Sequence, residues 1–104
     1  MNDIYTIDIL PIARHSTEER GAYIEEQGNP FAAENYISGL YGYVDKCLGH
    51  NPAKFRSYDY IQPGLRLLFY KKTTTIVYTI DEVNKIVTVT NIFHTRQDYI
   101  NYIR

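Results

Sequence analysis

The chain has 104 residues, 44% of them hydrophobic and 22% charged, with a formal net charge of -1. That length supports a single domain, 1–104, with a core that needs no staples. The composition excludes a disordered chain, and the single cysteine, Cys47, excludes an internal disulfide and fits a reducing compartment.

No apolar run approaches the roughly 20 residues of a membrane helix. Met1-Asn2-Asp3 leads directly into a strand, with no basic and then apolar leader. The expectation is a cytoplasmic protein with no membrane contact. Charge is unevenly spread: residues 1–52 hold three cations against eight carboxylates, and residues 53–104 hold eight against four. The acidic half reads as helical and the basic half as sheet, an asymmetry expected if the sheet side meets an anionic partner.

Ile4 to Leu10 reads as a first strand, with Tyr5, Ile7 and Ile9 alternating against Thr6 and Asp8. Pro11 ends it, since proline has no ladder donor. Ser16-Thr17-Glu18-Glu19 has the form of a capping box, so the first helix is expected from Ser16 to about Gln27, with Arg20, Tyr23, Ile24 and Gln27 on one face. Gly28 stops it. Asn29-Pro30 opens a second helix, asparagine as cap and proline at the first helical position. Ala33, Tyr36, Ile37, Leu40, Val44, Cys47 and Leu48 follow at spacings of three or four, and Gly49 ends it. So short a connection makes the two helices an antiparallel hairpin. Gly39 and Gly42 inside the second helix either permit a close approach or soften an exposed face.

Asn51 to Gly64 reads as a loop pinned by Phe55, Tyr58 and Tyr60. Leu65 to Tyr70 is a strand, with Leu65, Leu67 and Phe69 opposite Arg66, Leu68 and Tyr70. Thr75 to Ile80 and Ile86 to Phe93 flank the polar loop Asp81-Glu82-Val83-Asn84-Lys85, a hairpin signal, and are expected at the centre of the sheet. Val87 and Val89 share a face that Ile92 does not. That predicts a bulge near Asn91, or a strand buried on both sides. A bulge there re-aims His94, toward the tail or toward solvent. Tyr99, Ile100, Tyr102 and Ile103 form a short amphipathic helix or an extended tail. The order is β-α-α-β-β-β, an α+β fold with an antiparallel sheet packed on a helical hairpin.

The chemistry is sparse. No Gly-rich phosphate loop or nucleophile motif occurs. Cys47 and His50 have metal-ligand spacing without a second pair, and Cys47 lies on the apolar helix face, so neither metal nor cofactor is expected. His15 and His50 read as surface histidines. The remaining polar candidates are Arg66, Lys71, Lys72, His94 and Arg96. Arg66 is either a solvent-facing charge or part of an anion site. His94 suits a general acid or base, or a structural hydrogen bond to the tail. The eleven tyrosines could stack on bases, although Tyr23, Tyr36 and Tyr78 sit at core positions.

Over nearly its whole length the chain resembles the ParE branch of the RelE/ParE superfamily, small toxins of bacterial type II toxin–antitoxin modules, known also as plasmid stabilisation proteins. The residues that carry the likeness are Asn29 to Ile37, Pro63-Gly64-Leu65-Arg66, Thr75 to Asp81 and the ending Ile92-Phe93-His94-Thr95-Arg96-Gln97-Asp98-Tyr99. The resemblance implies a gyrase poison without catalytic residues, neutralised by a ParD-like antitoxin. RelE-like relatives instead cut mRNA on the ribosome, and in that alternative His94, Arg66 and Arg96 would be catalytic. An inactive relative that only binds antitoxin is the third reading. The dense basic belt of the RelE branch is missing, and a sequence pI of about 6.3 argues against phosphate-driven binding. That acidity departs from both branches, whose members are commonly basic. No sequence-specific nucleic-acid binding is expected. Target contacts are expected on Arg66, His94, Arg96, Asp98, Tyr99 and Tyr102. Antitoxin contacts are expected on Tyr36, Leu40, Tyr41 and Val44.

Overall fold

A computed structural model describes residues 4–103, apart from the side chains of Gln97, Asp98 and Ile103. Met1 to Asp3, read from sequence as the lead into the first strand, lie outside the described residues. The elements are β1 (Thr6–Ile9), α1 (Pro11–Glu26), α2 (Pro30–Leu48), a 3-10 turn (Pro52–Lys54), β2 (Arg66–Tyr70), β3 (Thr74–Asp81), β4 (Ile86–Phe93) and α3 (Arg96–Ile103).

The sheet has the order β1-β4-β3-β2, so the β3–β4 hairpin is its centre as expected. β2, β3 and β4 are antiparallel. β1 departs from that pattern and pairs parallel to β4. The chain from β1 to β4 passes through the helical hairpin, β2 and β3, a long connection of the kind a parallel pair requires, because a tight turn can join only antiparallel neighbours.

α2 forms as its pattern predicts. The Asn29 side chain accepts from the Ala32 amide at 3.0 Å, and Pro30 takes the first turn. Ala33, Leu40, Val44 and Leu48 are buried, while Tyr36, Ile37 and Cys47 are half-buried. Gly39 meets the close-approach reading: a Cβ there would lie 2.7 Å from the Tyr70 hydroxyl. Gly42 meets the other, facing open space.

α1 begins five residues earlier than the capping-box reading placed it. Pro11 does end β1, but it also starts the helix, where its missing N–H is no loss. Ser16 therefore caps nothing and instead donates to the Ile92 carbonyl at 2.7 Å. The buried face is Ala13, Thr17 and Gly21, a stripe of small residues that lets α1 lie close to β4 and α2. Tyr23 and Gln27, expected on that face, are exposed. Gly28, at φ +86°, ends the helical path in a region closed to most L residues.

Two apolar clusters lie on opposite faces of the sheet. Leu40, Val44, Leu48, Leu68, Ile76, Tyr78, Val87, Val89 and Ile92 pack beneath the helices. Full burial of each large side chain contributes about 1.5–3 kcal/mol. Leu65, Leu67 and Val77 form the smaller cluster, covered by Tyr58, Phe93, Tyr99 and Tyr102. Residues 99 and 102 belong to α3, so the C-terminal element is a helix that roofs the second face.

The expected bulge is present. Val77 pairs with Asn91 but Tyr78 pairs with Val89, which leaves Thr90 as the extra residue. This one-residue insertion returns Ile92 to the helix side with Val87 and Val89. Two residues further on, His94 is turned the same way.

Candidate functional site

His94 follows the last residue of β4 and is 5% exposed. It points neither to the tail nor to open solvent, the two directions the sequence left open. Its ring enters the layer between sheet and helices. Nε2 lies 3.1 Å from Thr17 Oγ1 on α1, and Nδ1 lies 2.6 Å from the Tyr36 hydroxyl on α2. The Tyr36 oxygen is also 2.6 Å from Thr74 Oγ1 on β3.

Proton positions follow from the network. Thr17 Oγ1 donates to the Ala13 carbonyl at 3.1 Å, so it must accept from His94. The neutral ring therefore carries its proton on Nε2, and Nδ1 accepts from Tyr36. Tyr36 in turn accepts from Thr74. The chain Thr74–Tyr36–His94–Thr17–Ala13 ties β3, α2, the end of β4 and α1 together. Burial pushes the Tyr36 hydroxyl above its ordinary pKa, while its contact with Thr74 and the charge of Arg20 pull the other way. Among the described residues, no buried side-chain nitrogen or oxygen lacks a partner.

Arg66 is half-buried on the helix side of β2. Its guanidinium donates to the carbonyls of Phe55 and, at 3.2 Å, of Ala53. Tyr78 supports the same loop by donating to the Pro52 carbonyl at 2.7 Å. Burial pushes the Tyr78 hydroxyl well above its ordinary range. Arg66 thus holds the chain between α2 and β2 against the sheet.

Arg96 is exposed at the start of α3. Tyr99 meets Phe69 edge-on with ring centroids 5.7 Å apart, and Tyr102 packs on Phe93 at 4.9 Å. Burial, then the neighbouring Tyr58 and Tyr60, raise the Tyr99 hydroxyl above its usual pKa. The Asp98 side chain lies outside the described residues. The six sequence-expected target contacts are therefore not one patch. His94 and Arg66 sit on the helix side of the sheet, and Tyr99 and Tyr102 lie on the other.

The expected antitoxin set divides as well. Leu40 and Val44 are core residues at 0% and 1% exposure, so they offer no surface to a partner. Tyr36 is half-buried in the His94 network, and Tyr41 is half-buried with the Arg14 guanidinium 6.0 Å from its ring centroid. The apolar period of α2 was legible, but it marks the core.

Sequence reasoning missed a groove of about 420 Å³ between α1 and the end of β4. Ile12, Ser16, Arg20 and Tyr23 line one side, and His94 and Thr95 line the other. His15 and Glu19, paired at 2.5 Å, stand at its rim. The available signal was Pro11. Starting the helix there sets Ala13, Thr17 and Gly21 inward and leaves Ile12 and Tyr23 facing out. His15 and His50 are exposed as expected. Among the described residues, no group of three or more His, Cys, Asp or Glu could hold a metal ion. Among the described residues, no helix is long and apolar enough to cross a membrane.

The family model for the ParE toxin of type II toxin–antitoxin system, parDE, matches residues 7–99. The chain belongs to the ParE toxin family. The match runs from β1 into α3, and so includes the bulge, His94 and the groove. A solved structure with the same fold is the toxin–antitoxin complex RelBE2 from Mycobacterium tuberculosis. The likeness has a TM-score of 0.59 at 15% identity and covers 88% of this ParE-family chain and 98% of the other. No curated protein sequence matches the chain.

Proposed function

We propose that this toxin acts by inhibiting DNA gyrase in the cytoplasm, and that a cognate antitoxin neutralises it. The observation that carries this reading is the state of the two side chains a nuclease would need most. A general acid or base must reach the proton that it moves. His94 is buried with both ring nitrogens hydrogen-bonded, and Arg66 is held by loop carbonyls. Neither is presented to a phosphodiester. Membership of the ParE branch supports the same conclusion, and the RelBE2 complex supports an antitoxin partner.

On this reading, target contacts fall on exposed Arg96 with Asp98 and the α3 tyrosines, while His94 and Arg66 hold the framework beneath. Induction of the toxin in growing bacteria provides the test. Relaxed plasmid DNA with intact mRNA is the expected result. Cleaved mRNA with normal plasmid supercoiling would replace this reading with ribosome-dependent cleavage. Harmless induction would leave only antitoxin binding.

A further inference from the structure

We propose that the aromatic patch of Tyr58, Tyr60, Phe69 and Tyr99 binds single-stranded nucleic acid, with bases stacked on the rings and phosphates on Arg56 and Arg96. The inference goes beyond the target reading above and does not depend on it.

The patch lies on the sheet face opposite α1 and α2. Tyr58 and Tyr99 pack against Leu65, Leu67 and Val77. Tyr60 stands 5.9 Å from Tyr58, and Phe69 stands 5.7 Å from Tyr99, centroid to centroid. Burial first, and then the hydroxyls of Tyr58 and Tyr60, raise the Tyr99 pKa, which places the three phenols together. Tyr60 is 76% exposed and Phe69 45%. Large rings left open side by side are a binding feature rather than scattered exposure.

The flanking charge is positive at both ends. The exposed Arg56 guanidinium lies 5.2 Å from the centroid of the Tyr58 ring. Arg96, also exposed, precedes Tyr99 by three residues in α3 and so neighbours it on the helix surface. Asp59, in the same loop as Arg56, spends its oxygens on the Gly64 amide at 2.8 Å and the Ser57 hydroxyl at 3.3 Å. The sequence pI of about 6.3 averages two unlike sides. Glu18, Glu19, Glu25, Glu26, Glu34 and Asp45 lie on α1 and α2, with the sheet between them and the rings. Exposed charges beyond about 10 Å are largely screened at 0.1 M salt, so those carboxylates do not set the field at the patch.

Open rings with a cation at each end match a single strand. Every base has a π face, so stacking tolerates any sequence, while the guanidiniums take phosphates. A duplex keeps its bases stacked inside and offers the rings nothing.

The test titrates purified toxin with oligo(dT) and oligo(U) of about 12 nucleotides at low salt. The chain has eleven tyrosines and no tryptophan, so quenching of tyrosine fluorescence reports stacking directly. Saturable quenching is expected, with a duplex of the same length bound at least about fivefold more weakly. Tyr60→Ala and Phe69→Ala should each weaken binding about fivefold or more, with circular dichroism unchanged, and Tyr60→Phe should retain it. Tyr60→Ala decides alone if Phe69→Ala fails to fold. Arg56→Gln should lower the salt slope by about 0.7. Phe31→Ala is the control: that ring is as open, at the start of α2, and affinity should stay within about twofold of wild type. Loss of binding to either strand in Tyr60→Ala supports the patch, and the tighter-bound strand names DNA or RNA as the source. No binding by wild-type toxin, binding that Tyr60→Ala retains, or equal binding of the duplex would overturn it. So would patch variants that lose gyrase inhibition while wild type binds neither strand, which assigns the rings to a protein contact. The titration contains no gyrase, so its failure leaves the gyrase reading standing.

Discussion

The Tyr36 hydroxyl stands 2.6 Å from Nδ1 of His94, and through that bond α2 is fastened to the end of β4. Both groups are sheltered, so the bond matters through what its loss would strand. Tyr36→Phe removes the donor to His94 and the acceptor for Thr74 together. It should destabilise the fold by about 1–3 kcal/mol in urea unfolding. His94→Ala should be worse, because it leaves a cavity and orphans Tyr36 and Thr17. A catalytic His94 would behave otherwise: toxicity would vanish in a variant as stable as wild type.

The bulge makes a second prediction. Thr90 is the residue that returns Ile92 and His94 to the helix side. Its deletion leaves Val89 opposite Tyr78 and Asn91 opposite Val77 in an unbroken ladder, with Ile92 and His94 still on the helix side. Cooperative thermal unfolding should survive the deletion. Thr90→Ala keeps the insertion and forgoes only a 3.3 Å bond to the Val77 carbonyl, so it should remain folded within about 1 kcal/mol of wild type.

Much of this was legible in the sequence, for physical reasons that differ by element. The bulge announced itself because Val87, Val89 and Ile92 cannot share a face at period two. α2 was legible because cap, proline and apolar period agree. The start of α1 was not, because Ser16 and Glu19 have capping-box spacing, and Pro11 serves two elements at once. His94 was visible as a candidate, but its orientation was not. Its partners Thr17 and Tyr36 lie 77 and 58 residues away in sequence, and no local pattern encodes such contacts. The parallel pairing of β1 was hidden likewise, since alternation shows which face of a strand is buried and not which neighbour it has.

The two interior glycines of α2 should respond oppositely to the same change. Gly42→Ala adds a methyl group in open space and gains helix propensity, so stability should rise by roughly 0.5–1 kcal/mol. Gly39→Ala gains the same propensity but meets the Tyr70 hydroxyl at 2.7 Å. Tyr70 is packed against Tyr36 and Tyr43, so its displacement offsets the gain. The melting temperature of the second variant should fall below that of the first.

Alkaline pH should weaken the fold through buried phenols. Tyr36 and Tyr78 both have pKa values raised by burial above the ordinary value of 10.0. A folded pKa above the unfolded one means that the unfolded chain loses its protons first. The stabilisation is complete below about pH 10 and is lost as pH climbs toward the folded values. Urea midpoints should hold steady to pH 9 and drop by pH 11. The drop should shrink in Tyr36→Phe.

Gyrase inhibition without catalysis by His94 or Arg66 is most directly tested by supercoiling of relaxed plasmid by purified gyrase, in the presence of rising concentrations of this toxin. The expected result is a dose-dependent loss of supercoiled product, reversed when the antitoxin is added. Undiminished supercoiling at saturating toxin, from a preparation that still kills cells, would contradict it.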